Sequence, residues 1–148
     1  MKNRTLLSVL LPAVLSSSAL FAAGKQCIPT PHRTTGTHYK AVTVHKVDVG
    51  RGVIVSGRVL SAADCRPIVG AKIAHWQAGR SGEYEDRLYA YLFSGKSGRY
   101  RFETEWPALP VPHIHFIVTA KGYKKVETQW VGSAPRSGIV FDIVLEPK

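Results

Sequence analysis

The chain has 148 residues, a length that fits one domain. It carries 20 Lys and Arg against 10 Asp and Glu, a formal net charge of +10. The cations are scattered, with no helix-borne basic stripe and no nucleic-acid motif, so nucleic acid is set aside. An anionic substrate, a polyanion or a membrane surface remains as the acidic partner.

Residues 1–23 read as a secretory signal peptide. Lys2 and Arg4 form a positive start, residues 6–15 are apolar apart from Ser8 and Pro12, and small residues follow up to Ala22 and Ala23. The apolar run falls short of the roughly 20 residues of a membrane span, so no stable membrane insertion is expected. Export would place the mature chain in the periplasm or outside the cell.

Residues 24–40 form a polar, irregular N-terminal arm with two prolines. Cys27 lies in it, and Cys65 is the second of two cysteines. In an oxidising compartment the two are expected to pair, pinning the arm to the turn Asp64-Cys65-Arg66-Pro67. A zinc-type use would need a second close cysteine, which is absent.

Residues 41–148 hold short β-branched runs broken by Gly, Pro and Asp, and no long stretch repeats apolar residues at helical spacing. The runs are 41–49, 52–60, 68–76, 100–104, 113–120, 126–131 and 139–145. This pattern predicts an all-β fold, an antiparallel β-sandwich of about seven to eight strands. Residues 80–96 carry little strand signal and form the longest internal connection, a place where small sandwiches often carry function.

The sharpest local feature is Pro112-His113-Ile114-His115-Phe116. On a strand, residues two apart point to the same side, so His113 and His115 present two imidazoles together. Such a pair is half a site for zinc, copper or iron. It also reads as two half-buried histidines with hydrogen-bond partners, and the pair alone leaves both readings open. The other histidines carry less signal. His32 and His38 read as solvated arm residues, and His75 points away from Trp76. Trp76, Trp106 and Trp130 read as packing.

A longer series gives the pair a context: Gly57-Arg58-Val59, Pro67-Ile68-Val69-Gly70-Ala71, Trp76-Gln77-Ala78, Gly82-Glu83-Tyr84, Gly98-Arg99-Tyr100-Arg101-Phe102, Pro112 to Phe116, then Thr128-Gln129. In order and content this series resembles the intradiol ring-cleavage dioxygenases, over more than half of the chain. The resemblance implies cleavage of a catechol between its two hydroxyl-bearing carbons by O2 at a non-haem Fe(3+) held by two tyrosines and two histidines. Matched residue by residue, His113 and His115 are the two histidines, Tyr84 is the first tyrosine, and Gln129 lines the site. The implied partners are a small aromatic diol and O2.

Two departures stand out. The segment Trp106-Pro107-Ala108-Leu109-Pro110 has no tyrosine where the family carries its second, and Pro110 stands where the family has an arginine. Tyr89 or Tyr91 could supply the missing ligand, or water or substrate could fill it. Arg80 or Arg87 could replace the arginine. The alternatives to an enzyme are a non-catalytic exported β-sandwich binding module that has lost full iron ligation, and a protein that stores or traffics iron or copper. The oligomeric state is left open.

Overall fold

The computed structural model describes residues 27–148. The signal-peptide reading and residues 24–26 of the arm lie outside them. Eight strands follow in order: β1 (Val53–Ser61), β2 (Lys72–Trp76), β3 (Ala90–Phe93), β4 (Arg99–Thr104), β5 (His113–Thr119), β6 (Val126–Val131), β7 (Gly138–Val140) and β8 (Ile143–Leu145). One sheet runs β4-β1-β7, with β8 also pairing β1, and the other runs β3-β2-β5-β6. The sandwich fold expected from the sequence is present.

Alternation of side chains builds the core between the sheets. Val53, Val55 and Val59 of β1 meet Ile114, Phe116 and Val118 of β5, with Phe102 of β4 and Ile73 of β2 filling the layer. His113 and His115 share β5 with these residues but occupy the opposite phase. They therefore face outward from the β3-β2-β5-β6 sheet, into a space closed by loops instead of by the second sheet.

The two C-terminal strands depart from the antiparallel expectation, because β7 and β8 both pair parallel to β1. They come from one sequence run, 139–145, that breaks at Phe141-Asp142. The Phe141 N–H donates to the Ser56 carbonyl at 2.9 Å, and Asp142 accepts from the Arg58 N–H at 2.8 Å. The Phe141 carbonyl oxygen lies 2.0 Å from where a Cβ on Gly57 would stand, so this crossing admits only glycine.

Two further expectations are corrected. Residues 41–49 form no strand and make a single bridge, His45 to Tyr91. The valine alternation there lacks a second layer, since Val44 and Val47 stay 53% and 47% exposed. β3 forms inside the 80–96 connection, where backbone pairing with β2 recruits Ala90 to Phe93. Among the described residues no helix is long and apolar enough to cross a membrane. Cys27 and Cys65 are joined by a disulfide with a Cα–Cα distance of 5.3 Å.

Candidate metal centre

β5 places His113 and His115 on one face, and the loop after β2 brings Tyr84 to them. The Tyr84 Oη lies 2.9 Å from His113 Nε2 and 3.1 Å from His115 Nε2. Typical metal–ligand lengths are about 2.0–2.2 Å, so donors at right angles around one ion stand roughly 3 Å apart. The two separations match that edge. The donor set, one phenol oxygen and two imidazole nitrogens, contains no carboxylate or thiol. Accordingly, no group of three His, Cys, Asp or Glu side chains occurs among the described residues.

Each donor is held in place from behind. His113 Nδ1 is 2.8 Å from the Val111 carbonyl, which fixes the proton on Nδ1 and leaves the Nε2 lone pair facing Tyr84. The His115 ring stacks on Trp76 at 4.9 Å with a 9° interplanar angle. Its Nδ1 is buried without a hydrogen-bond partner among the described residues. The Tyr84 loop is clamped by a charged network. Arg87 binds Glu85 (2.8 Å) and Glu105 (2.8 and 3.2 Å), and Glu105 also accepts from the Arg80 N–H at 3.0 Å. Gly79 fits against both carboxylates, where a Cβ would come within 2.5 Å of Glu105 and 2.8 Å of Glu85.

The electrostatics suit a cation. Burial, with smaller contributions from His113 and His38, pushes the His115 imidazole down to about 4, so the ring stays neutral with a lone pair available. Burial first, then nearby Tyr89, raises the Tyr84 phenol above its usual range. Without a cation the phenol therefore keeps its proton. A metal ion would reverse that preference and draw out the phenolate, which a hard ferric ion favours. The Tyr84 hydroxyl faces two imidazole nitrogens, an arrangement that a shared ion would satisfy at once.

These side chains open on a cleft of about 380 Å³. Gln129, opposite His115 in the β5–β6 register, lines it. Leu109, from the segment 106–110 that lacks a tyrosine, also lines it. The outer wall is the N-terminal arm: Thr34, Thr35, Gly36, Thr37 and His38 all line the cleft. Gln129 Nε2 donates to the Thr34 carbonyl at 3.1 Å, and the His38 ring stacks on Tyr84 at 4.0 Å with a 4° angle. His38, read from sequence as a solvated arm residue, is thus part of the site. Nothing in its local sequence signals this. A larger cleft of about 970 Å³, lined by Arg58, Arg99, Arg101 and Phe93 among others, contains none of these donors.

The replacements weighed for the missing groups lie elsewhere. The Tyr89 hydroxyl donates to the His38 carbonyl at 2.7 Å, and Tyr91 stacks on His45 at 5.1 Å. Arg87 is taken up by Glu85 and Glu105, and Arg80 donates to the Arg51 carbonyl at 2.8 Å. None of the four lines the cleft.

No family model matches the chain. It is 29% identical over 163 aligned positions to a 6-chlorohydroxyquinol 1,2-dioxygenase of Cupriavidus pinatubonensis, covering 81% of this chain and 58% of that protein. Its fold matches the dioxygenase domain of a dioxygenase carbohydrate-binding protein fusion from the cellulolytic bacterium Streptomyces sp. SirexAA-E, with TM-score 0.73 and 24% identity over 82% of this chain and all of that one. An intradiol ring-cleavage dioxygenase of Tetranychus urticae matches with TM-score 0.63 and 24% identity over 70% of this chain and 64% of that one. By sequence and by fold, the chain resembles the intradiol ring-cleavage dioxygenases. It spans little more than half the length of the Cupriavidus relative.

Proposed function

We propose that the protein cleaves a catechol-type ring by O2 at an Fe(3+) centre held by Tyr84, His113 and His115, with Gln129 as a substrate-facing wall. The observation that carries this reading is the convergence of one phenol oxygen and two imidazole nitrogens at 2.9 and 3.1 Å. Bound Fe(III) would supply the Lewis acidity that activates the diol towards O2. Overall, the bond between the two hydroxyl-bearing carbons breaks, and the two oxygen atoms of O2 enter the two carboxylates of a cis,cis-muconate-type product.

The chain's own residues supply geometry and exclude alternatives. His113 is aimed by the Val111 carbonyl and His115 by Trp76. The Glu85–Arg87–Glu105 network fixes the loop that presents Tyr84. Gln129 and the three threonines that line the cleft, Thr34, Thr35 and Thr37, offer hydrogen bonds to ring hydroxyls. Among the described residues no Lys or Arg lines the cleft, which favours an uncharged catechol or hydroxyquinol over a carboxylated ring. The basic surface lies elsewhere and does not set this preference. The Cys27–Cys65 disulfide supports an exported protein, in the periplasm or outside the cell.

The test is metal analysis with a visible spectrum, before and after adding catechol, followed by oxygen uptake. Near-stoichiometric iron, a broad visible band that shifts on catechol addition, and oxygen consumption are expected. A colourless protein that Fe(III) cannot load favours the second reading, a binding module. One observation speaks for that reading: among the described residues the cleft wall provides neither a second tyrosine nor an arginine.

A further inference from the structure

We propose that His38, carried by the N-terminal arm, is a substrate-binding residue of the cleft, its ring nitrogen accepting a hydrogen bond from a ring hydroxyl of the diol. This rests on the proposed reading of the cleft and assigns it a specificity determinant. Leaving aside Tyr84, His113 and His115, His38 is the one titratable side chain on the cleft wall among the described residues. Its ring nitrogens have no hydrogen-bond partner among those residues, although its carbonyl is engaged by Tyr89. Because its face lies flat on Tyr84, its nitrogens sit on the ring edge and not on the stacked face.

The placement is built, not incidental. The Tyr89 hydroxyl fixes the His38 carbonyl at 2.7 Å. Gln129 holds Thr34 at 3.1 Å, and the Arg33 N–H donates to the Glu127 carbonyl at 2.8 Å. Gly36 turns the chain between them at φ +69°, and a Cβ there would touch His115 Cε1 at 4.0 Å. The arm thus passes close over the donors and returns with His38 over Tyr84. It brings a nitrogen acceptor to a wall where Leu109 offers none. A diol rim that meets His38 is read by a group that a ring lacking that hydroxyl leaves unpaired, which is how polar walls discriminate.

The experiment titrates the iron-loaded protein with catechol and follows the shift of its visible band, for wild type, His38→Ala and His38→Phe. Phenylalanine keeps a flat ring on Tyr84 and removes the nitrogens. A five- to tenfold weaker catechol affinity in both variants, with iron content unchanged, is expected for one lost hydrogen bond of about 1–1.4 kcal/mol. Wild-type affinity in His38→Phe overturns the inference while leaving the iron site standing. Iron lost in His38→Ala but kept in His38→Phe, with normal catechol affinity, likewise overturns it and makes His38 a packing residue. A wild-type protein whose band ignores catechol rejects this inference and the proposed function together.

Discussion

His75 and His115 lie on adjacent strands of one sheet, yet they meet opposite surroundings. His75 faces the core, stacks on Phe102 at 3.8 Å, and has no hydrogen-bond partner on either ring nitrogen among the described residues. Burial pushes it down to about 3. Its folded value lies below the unfolded value of about 6.5, so unfolding takes up a proton at acid pH. The stability it contributes is complete above pH 6.5 and is lost as pH falls towards 3, at up to about 1.4 kcal/mol per pH unit. His115 adds to the same trend from its own depressed value. Urea midpoints at pH 7 and pH 4 should therefore lie closer together in His75→Phe than in wild type. An unaltered gap would place the acid sensitivity elsewhere. At the outer face, His115→Ala is expected to abolish iron binding, measured as metal content after dialysis. Tyr84→Phe is expected to remove the visible colour, because the colour would arise from tyrosinate-to-iron charge transfer. A fully coloured Tyr84→Phe protein would assign the ligand to another phenol.

Among the elements, those with partners on both sides were the most legible. β5 shows its alternation plainly, with Ile114, Phe116 and Val118 inward and His113 and His115 outward, so the His-x-His pair could be placed from sequence. The run 41–49 shows equally clean alternation, yet forms no strand, because alternation records an intended face and not the presence of a neighbour. β3 escaped notice for the opposite reason: four residues beside a polar loop carry too short a pattern to read. His38 was invisible because its neighbours in space, Tyr84 and Tyr89, are tied to it by an irregular arm without periodicity. The junction of β7 and β8 gives the element-scale prediction. Gly57→Ala would place a Cβ 2.0 Å from the Phe141 carbonyl oxygen. A loss of about 1–3 kcal/mol is expected for such overpacking, measured by urea denaturation. Wild-type stability would mean that β7 can slide without cost.

Across the whole molecule the disulfide ties the arm to the sandwich over 38 residues of sequence. On the chain-entropy view, a closed loop of that size stabilises by up to about 4 kcal/mol. Cys27→Ser with Cys65→Ser should lower the denaturation midpoint accordingly and loosen the wall that carries His38. An unchanged midpoint would show that the hydrogen bonds of the arm suffice. The strand content and the donors of β5 could be read from the chain itself. The wall of the cleft could not, since it is assembled from residues that only the finished fold brings together.

The arm's hydrogen bonds reach far along the chain: Thr34 meets Gln129 across 95 positions, and the Thr30 hydroxyl meets the Val144 N–H across 114. Contacts of such separation form late, after the local hairpins of the sandwich have closed most of the intervening loop. The order of assembly follows. β5 and the Tyr84 loop are expected to come together first, and the cleft to acquire its outer wall only when the last strands are in place. Amide exchange should retrace that order in reverse, with residues 30–38 opening well before the strands beneath them.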